Sequence, residues 1–253
     1  MDTHKHPSGL ITVDFSNEER AVLLSVVDES EMRSVDWGHG QGKAPAYYLR
    51  GMTVAFAAML VRLDAADPYV ADMARGLAPK NDVLTKYAGN FGFADGIGSY
   101  PATTLQALLT IMVSLGMHES SGRHCCGKDA AEQNVSHDTA EAGLFQTSWN
   151  ASYGVNAAAG LLESYQGRTD LLDIFRTKCS EANLKNWGDG IGVIYQKTAK
   201  ECPAFAIDFT AVAMRHVRRH WYPNNKDMVT VTGESLNHFT LVANVLRKRN
   251  LLA

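Results

Sequence analysis

Residues 105–117 read LQALLTIMVSLGM, an apolar run interrupted only by the polar side chains of Gln106, Thr110 and Ser114. A chain carrying such a segment has to bury it. On a 3.6-residue period Leu105, Leu108, Leu109, Met112 and Leu115 share one stripe, which predicts a helix, and Pro101 is suited to open it because its φ is already helical. Glu119 follows four residues after Leu115 on the same stripe. A carboxyl is therefore expected on the face turned toward the core. Desolvation disfavours the charged form of such a group and raises its pKa, so it holds a proton near neutral pH and suits general-acid chemistry. Gly116, one turn earlier, is expected to leave room for a ligand beside it. The structural alternative is that Glu119 caps the helix end or pairs with Arg123.

Beyond the run come Glu119-Ser120, a polar loop with the adjacent Cys125 and Cys126, and then Gly143-Leu144-Phe145-Gln146. This order resembles goose-type lysozymes and bacterial lytic transglycosylases, in which Glu-Ser is followed some tens of residues later by Gly-Leu-Met-Gln. Here Phe145 stands in place of Met, and Gln146 lies 27 positions after Glu119 (146 − 119). The likeness covers about 45 residues of the chain.

The resemblance implies a mainly α chain forming a single helical domain. Its lysozyme-like core would span approximately 101–225, with additional N-terminal helices in 1–100. It implies a glycosidase or lytic transglycosylase acting on a β-linked polysaccharide, peptidoglycan first and chitin or a chitosan-like glycan next, with no cofactor. Glu119 would protonate the leaving oxygen and then serve as base. Asp129 and Asp138 are the carboxylates placed to face it across a cleft, with Glu141 a third candidate. Ser120 would bond the glutamate or the substrate, and Gln146 with the backbone around Phe145 would hold a sugar substituent. Trp149, Tyr153 and Tyr165 offer stacking faces, each with a core role as the alternative. Ser148 stands where the goose-type pattern has an aspartate, which leaves hydrolysis and transglycosylation both open. A fold serves many functions, so a non-catalytic carbohydrate-binding or interaction protein is the rival reading.

With 253 residues and 45% hydrophobic content the chain is long enough for one substantial core. A net charge of −3 with no long basic run gives no field for a nucleic-acid backbone. His216, Arg218, Arg219 and His220 cluster where a helix is expected to end, and cations are favoured at that end of the dipole. No apolar stretch reaches the length a bilayer requires. The first residues, MDTHKHPSGL, lack the apolar centre of a secretory signal, although a cell-wall substrate implies a periplasmic or secreted location.

Four cysteines permit one or two disulfides, and the expectation is that Cys125 or Cys126 pairs with Cys179 or Cys202. His118, His124, Cys125 and Cys126 offer a rival metal-hydrolase reading, but a Cys-x₂₋₄-Cys spacing is missing and no metal is expected. The glycine-rich stretch 35–42 lacks the Gly-Lys-Ser/Thr ending of a phosphate cradle. No Gly-x-Ser-x-Gly turn supports a serine hydrolase.

Elsewhere, Ser16 and Glu19 form a capping box for a first helix, and Asp67-Pro68 opens another. Helical spacing is expected over 47–63, 83–87, 155–165, 170–179, 191–200, 205–221 and 234–248, with Pro223 closing the penultimate helix. The best strand pattern is 228–232.

Overall fold

The computed structural model describes residues 1–38, 40–92, 96–128 and 136–252. Among these the fold is mainly helical. The helices are α1 (Asn17–Glu29), α2 (Ala46–Asp64), α3 (Pro68–Met73), α4 (Val83–Tyr87), α5 (Pro101–Ser120), α6 (Ala158–Tyr165), α7 (Glu181–Leu184), α8 (Gly190–Glu201), α9 (Pro203–His216), α10 (Tyr222–Asn225) and α11 (Gly233–Lys248). An antiparallel hairpin of β1 (Asp2–Lys5) and β2 (Ile11–Asp14) precedes them, in the register Asp2 opposite Asp14. No described helix is long and apolar enough to cross a membrane.

Helix α5 starts at Pro101 as its sequence requires, and fourteen of its twenty residues are buried. That is too many for one apolar stripe, so the helix is enclosed rather than amphipathic. Helices α2, α3, α4, α9, α10 and α11 all pack against it. Its buried hydroxyls are satisfied close to home. Thr104, Thr110 and Ser120 donate to the carbonyls of Tyr100 at 2.9 Å, Gln106 at 2.9 Å and Gly116 at 3.0 Å. The space at Gly116, expected to admit a ligand, is instead filled by protein. A Cβ there would stand 2.3 Å from the Tyr48 hydroxyl oxygen and 3.2 Å from the Phe145 ring. From α2, that hydroxyl reaches the carbonyls of Met112 (3.2 Å) and Val113 (2.9 Å), fixing α2 across α5.

The second fixture is ionic. Arg62 on α2 meets Asp67 at 3.1 Å and Asp208 on α9 at 2.6 Å, and Tyr165 on α6 donates to Asp208 at 2.8 Å. Asp67 also caps α3 by accepting from the amides of Tyr69 (2.9 Å) and Val70 (3.0 Å), and it accepts from Ile11 of β2 at 2.7 Å. Burial pushes the Asp208 carboxyl up against the opposing pull of Arg62. One hydrophobic cluster runs from Leu10 to Leu246 around these polar ties.

Four sequence expectations are corrected. Residues 228–232 form no strand, because the chain there lies along α5, where the Thr230 amide donates to Ser114 Oγ at 2.8 Å. Residues 170–179 form turns rather than a helix. Leu171 takes a left-handed φ of 67°, and Phe175 fills the space left by Gly51, where a Cβ would fall 2.0 Å from its ring. Helix α9 stops at His216, short of 221, and Pro223 sits in the first turn of α10 instead of ending a longer helix.

Removing Arg62 leaves two buried aspartates without their cation. Arg62→Ala is expected to lower stability by about 3–5 kcal/mol in urea unfolding; a loss within about 0.5 kcal/mol, the range of ordinary surface substitutions, would show that the network carries no such weight.

Candidate active site at the end of α5

Glu119 and Ser120 form the last turn of α5, which closes in a left-handed turn at Ser121 (φ 52°) and Gly122 (φ 74°). The amides of Ser121 and Gly122 donate back to the carbonyls of Met117 (3.0 Å) and Gly116 (3.1 Å). Ser120 is buried, and its hydroxyl also reaches the Leu144 carbonyl at 2.7 Å. The two halves of the sequence pattern therefore meet. Ser120 is the joint between them, and it bonds neither Glu119 nor open cleft as the sequence reading expected.

Across that joint, residues 142–147 make a tight loop closed by the Ala142 amide on the Thr147 carbonyl at 2.9 Å. Gly143 has a φ of 80°, and a Cβ there would lie 2.8 Å from the Ala199 carbonyl oxygen of α8, so glycine is required on two counts. Gln146 takes a φ of 43°, is half-buried, and donates from Nε2 to the Gly143 carbonyl at 3.0 Å. Phe145 is a core side chain, and its carbonyl accepts from Trp221 Nε1 at 3.3 Å. Its side chain lends the site shape from behind.

Glu119 is half-buried, and its pKa rises from the ordinary 4.5 to about 8, first through burial and then through the negative charge of Glu141. Both causes act in one direction. The proposed pairing with Arg123 is absent from them; Arg123 Nε donates to the Ser120 carbonyl at 3.1 Å, and its charge opposes the upward push that burial gives the Cys126 thiol. The charge of Glu141 also acts on Tyr195 of α8, a buried phenol hydrogen-bonded to Thr147 and pushed upward mainly by desolvation. Glu119, Glu141, Thr147 and Tyr195 thus form one polar group around the junction.

Asp138 and Tyr153 are brought together. Asp138 accepts from Tyr153 OH at 2.9 Å and meets His137 Nδ1 at 2.6 Å, while its carbonyl accepts from the Asn150 amide at 2.9 Å. Tyr153 remains 59% exposed, the only stacking candidate of the three with a free face among the described residues. Trp149 is buried between Tyr195 and Phe209, with ring centroids 5.9 and 6.1 Å away, and Tyr165 belongs to the Arg62 network. Asp129 lies outside the described residues. Ser148, buried, donates to Asn150 Oδ1 at 2.7 Å.

Cys125 and Cys179 form a disulfide, one of the pairings expected; Cys126 and Cys202 are free and buried. The ligand set His118, His124, Cys125 and Cys126 is not assembled, since His118 Nε2 is 2.8 Å from the Met228 carbonyl and Cys125 is oxidised. Tyr195 and Thr147 were missed in the sequence. The available signal was Gly192, Tyr195 and Ala199 on one face of α8, which backs the 142–147 loop.

No protein-family model, curated protein or solved structure matches the chain. The likeness to goose-type lysozymes and lytic transglycosylases therefore rests on the Glu119-Ser120 and Gly143–Gln146 segments alone.

A carboxyl whose folded pKa exceeds its unfolded value binds more protons in the folded state between those two values, so stability falls as pH rises through that window. For Glu119 the window runs from 4.5 to about 8. Glu119→Gln stays neutral throughout. Thermal melts of both proteins at pH 5 and pH 8.5 are expected to show the variant gaining on wild type at the higher pH, and a pH-independent difference would mean that the carboxyl titrates normally.

Proposed function

We propose that the chain is a glycosidase or lytic transglycosylase of the lysozyme-like kind, cleaving a β-linked polysaccharide with Glu119 as general acid. The observation that carries the reading is the carboxyl of Glu119, kept protonated at neutral pH by burial beside a second carboxylate, Glu141. Two neighbouring carboxyl groups can divide the labour of glycosidic cleavage: one, held protonated, donates a proton, and the other faces the developing oxocarbenium centre or a water. The motif junction through Ser120 and Leu144 supports the same reading, because it sets half-exposed Gln146 on the loop next to the acid.

In this mechanism Glu119 protonates the departing glycosidic oxygen and then, as carboxylate, takes a proton from the attacking water or from a hydroxyl of the sugar itself. Glu141 stabilises the positive charge between the two steps. Gln146 positions a substituent of the sugar ring, and the Asp138-bound Tyr153 provides a stacking face at the rim. Peptidoglycan is the first substrate by the resemblance, with chitin and chitosan next.

The test incubates the protein with peptidoglycan, chitin and chitosan and identifies the products by mass; an anhydro end distinguishes transglycosylation from hydrolysis. Glu119→Gln is expected to lower the rate by roughly 10²–10⁴-fold, the usual worth of a general acid. Saccharide binding without turnover in the wild type would favour the rival carbohydrate-binding reading. Since the working form of Glu119 is the protonated one, activity is expected to decline as pH rises through about 8; a rate still climbing past pH 9 would remove Glu119 from the acid role.

A further inference from the structure

The disulfide between Cys125 and Cys179 has a third party. His124, buried beside it, places Nδ1 2.7 Å from the Lys200 carbonyl. A carbonyl only accepts, so Nδ1 carries the ring proton and Nε2 presents a lone pair. That lone pair faces Cys179 Sγ at 3.7 Å, and the ligand atoms of His124, Cys125 and Cys179 all lie within 4.8 Å of one another. A backbone carbonyl fixing one imidazole nitrogen while the other points to a common centre is the outer-shell arrangement of metal-binding histidines.

We propose that His124, Cys125 and Cys179 are a redox-gated metal site: a disulfide when oxidised, and a Cys₂His ligand set for Zn²⁺ when reduced. The geometry needs little adjustment. With Zn–S of about 2.3 Å and Zn–N of about 2.05 Å, tetrahedral ligation separates sulfur from nitrogen by about 3.6 Å and the two sulfurs by about 3.8 Å. The first distance is nearly met between His124 and Cys179, and the rest asks that the Cys125 and Cys179 side chains swing apart from Cα atoms 6.0 Å apart. A dithiol reductant supplies two electrons and two protons to the Cys125–Cys179 bond, becoming a disulfide itself and leaving two thiols. Zn²⁺, which changes no oxidation state, then displaces both thiol protons to solvent, binds His124 Nε2 and completes its shell with water. The segment after Glu119 and the one before α7 stay cross-linked in either state. The inference stands apart from the glycosidase reading.

Co²⁺ in place of Zn²⁺ reports such a site by its visible tetrahedral bands and a near-ultraviolet thiolate-to-metal band. The full chain is reduced with a phosphine, which is oxidised by water's oxygen as the disulfide takes up two protons, and is then titrated with Co²⁺. One equivalent is expected to bind with both signatures, Zn²⁺ to displace it, and the unreduced protein to show neither. Cys125→Ser with Cys179→Ser is expected to abolish the bands, and His124→Ala to weaken binding by at least about 100-fold, more than loss of an outer-shell partner costs. Zn X-ray absorption of the wild type is expected to count two sulfur and two nitrogen or oxygen neighbours. The proposal is overturned if the reduced chain binds no Co²⁺, if it unfolds and metal does not restore its near-ultraviolet dichroism, if the bands survive without Cys125 and Cys179, or if three or more sulfurs are counted, which would bring in Cys126 or Cys202.

Discussion

A helix sheathed by others along its length meets solvent only where it ends. Burial of α5 is the constraint on which the rest of the molecule depends, for it dictates both the packing around it and the position of the candidate site. Glu119 stands in the final turn, partly covered by the mass that covers the helix and partly clear of it. A carboxyl one turn earlier, at Leu115 or Gly116, would be sealed in. The raised pKa is thus a consequence of where the enclosure stops, sharpened by a second carboxylate on the facing loop.

Much of the helical frame was legible because its signals are local. The Ser16 box, the Asp67-Pro68 start, the 83–87 helix and the Pro101 start all depend on neighbours within one turn, and each appears where the residues place it. The N-terminal hairpin was not legible, since β1 reads Asp-Thr-His-Lys with no apolar alternation and is exposed throughout. What anchors its partner strand is the Ile11 amide on Asp67, a contact across 56 positions that no local pattern reveals.

The candidate site divides in the same way. Periodicity located Glu119 and the dryness of its setting, because helical spacing fixes a face. It could not orient Ser120, Phe145 and Trp149, which share the motif region but turn inward to the Leu144 carbonyl, the Gly116 gap and the Phe209 ring. Nor does a loop sequence distinguish Asp138 from Glu141. That choice is made by Tyr153 OH and His137, which engage the Asp138 carboxylate, while the charge of Glu141 reaches Glu119.

Asp67 gathers four bonds from three directions: the β2 amide, the first turn of α3 and the guanidinium of α2. The amino-terminal ribbon is consequently no detachable fringe. Peeling it away strips a donor from the carboxylate that balances Arg62 and lets water reach a charge otherwise shut inside. The beginning of the chain is thereby tied to the cooperativity of the whole, and the ribbon and the helices behind it are joined in one unfolding unit.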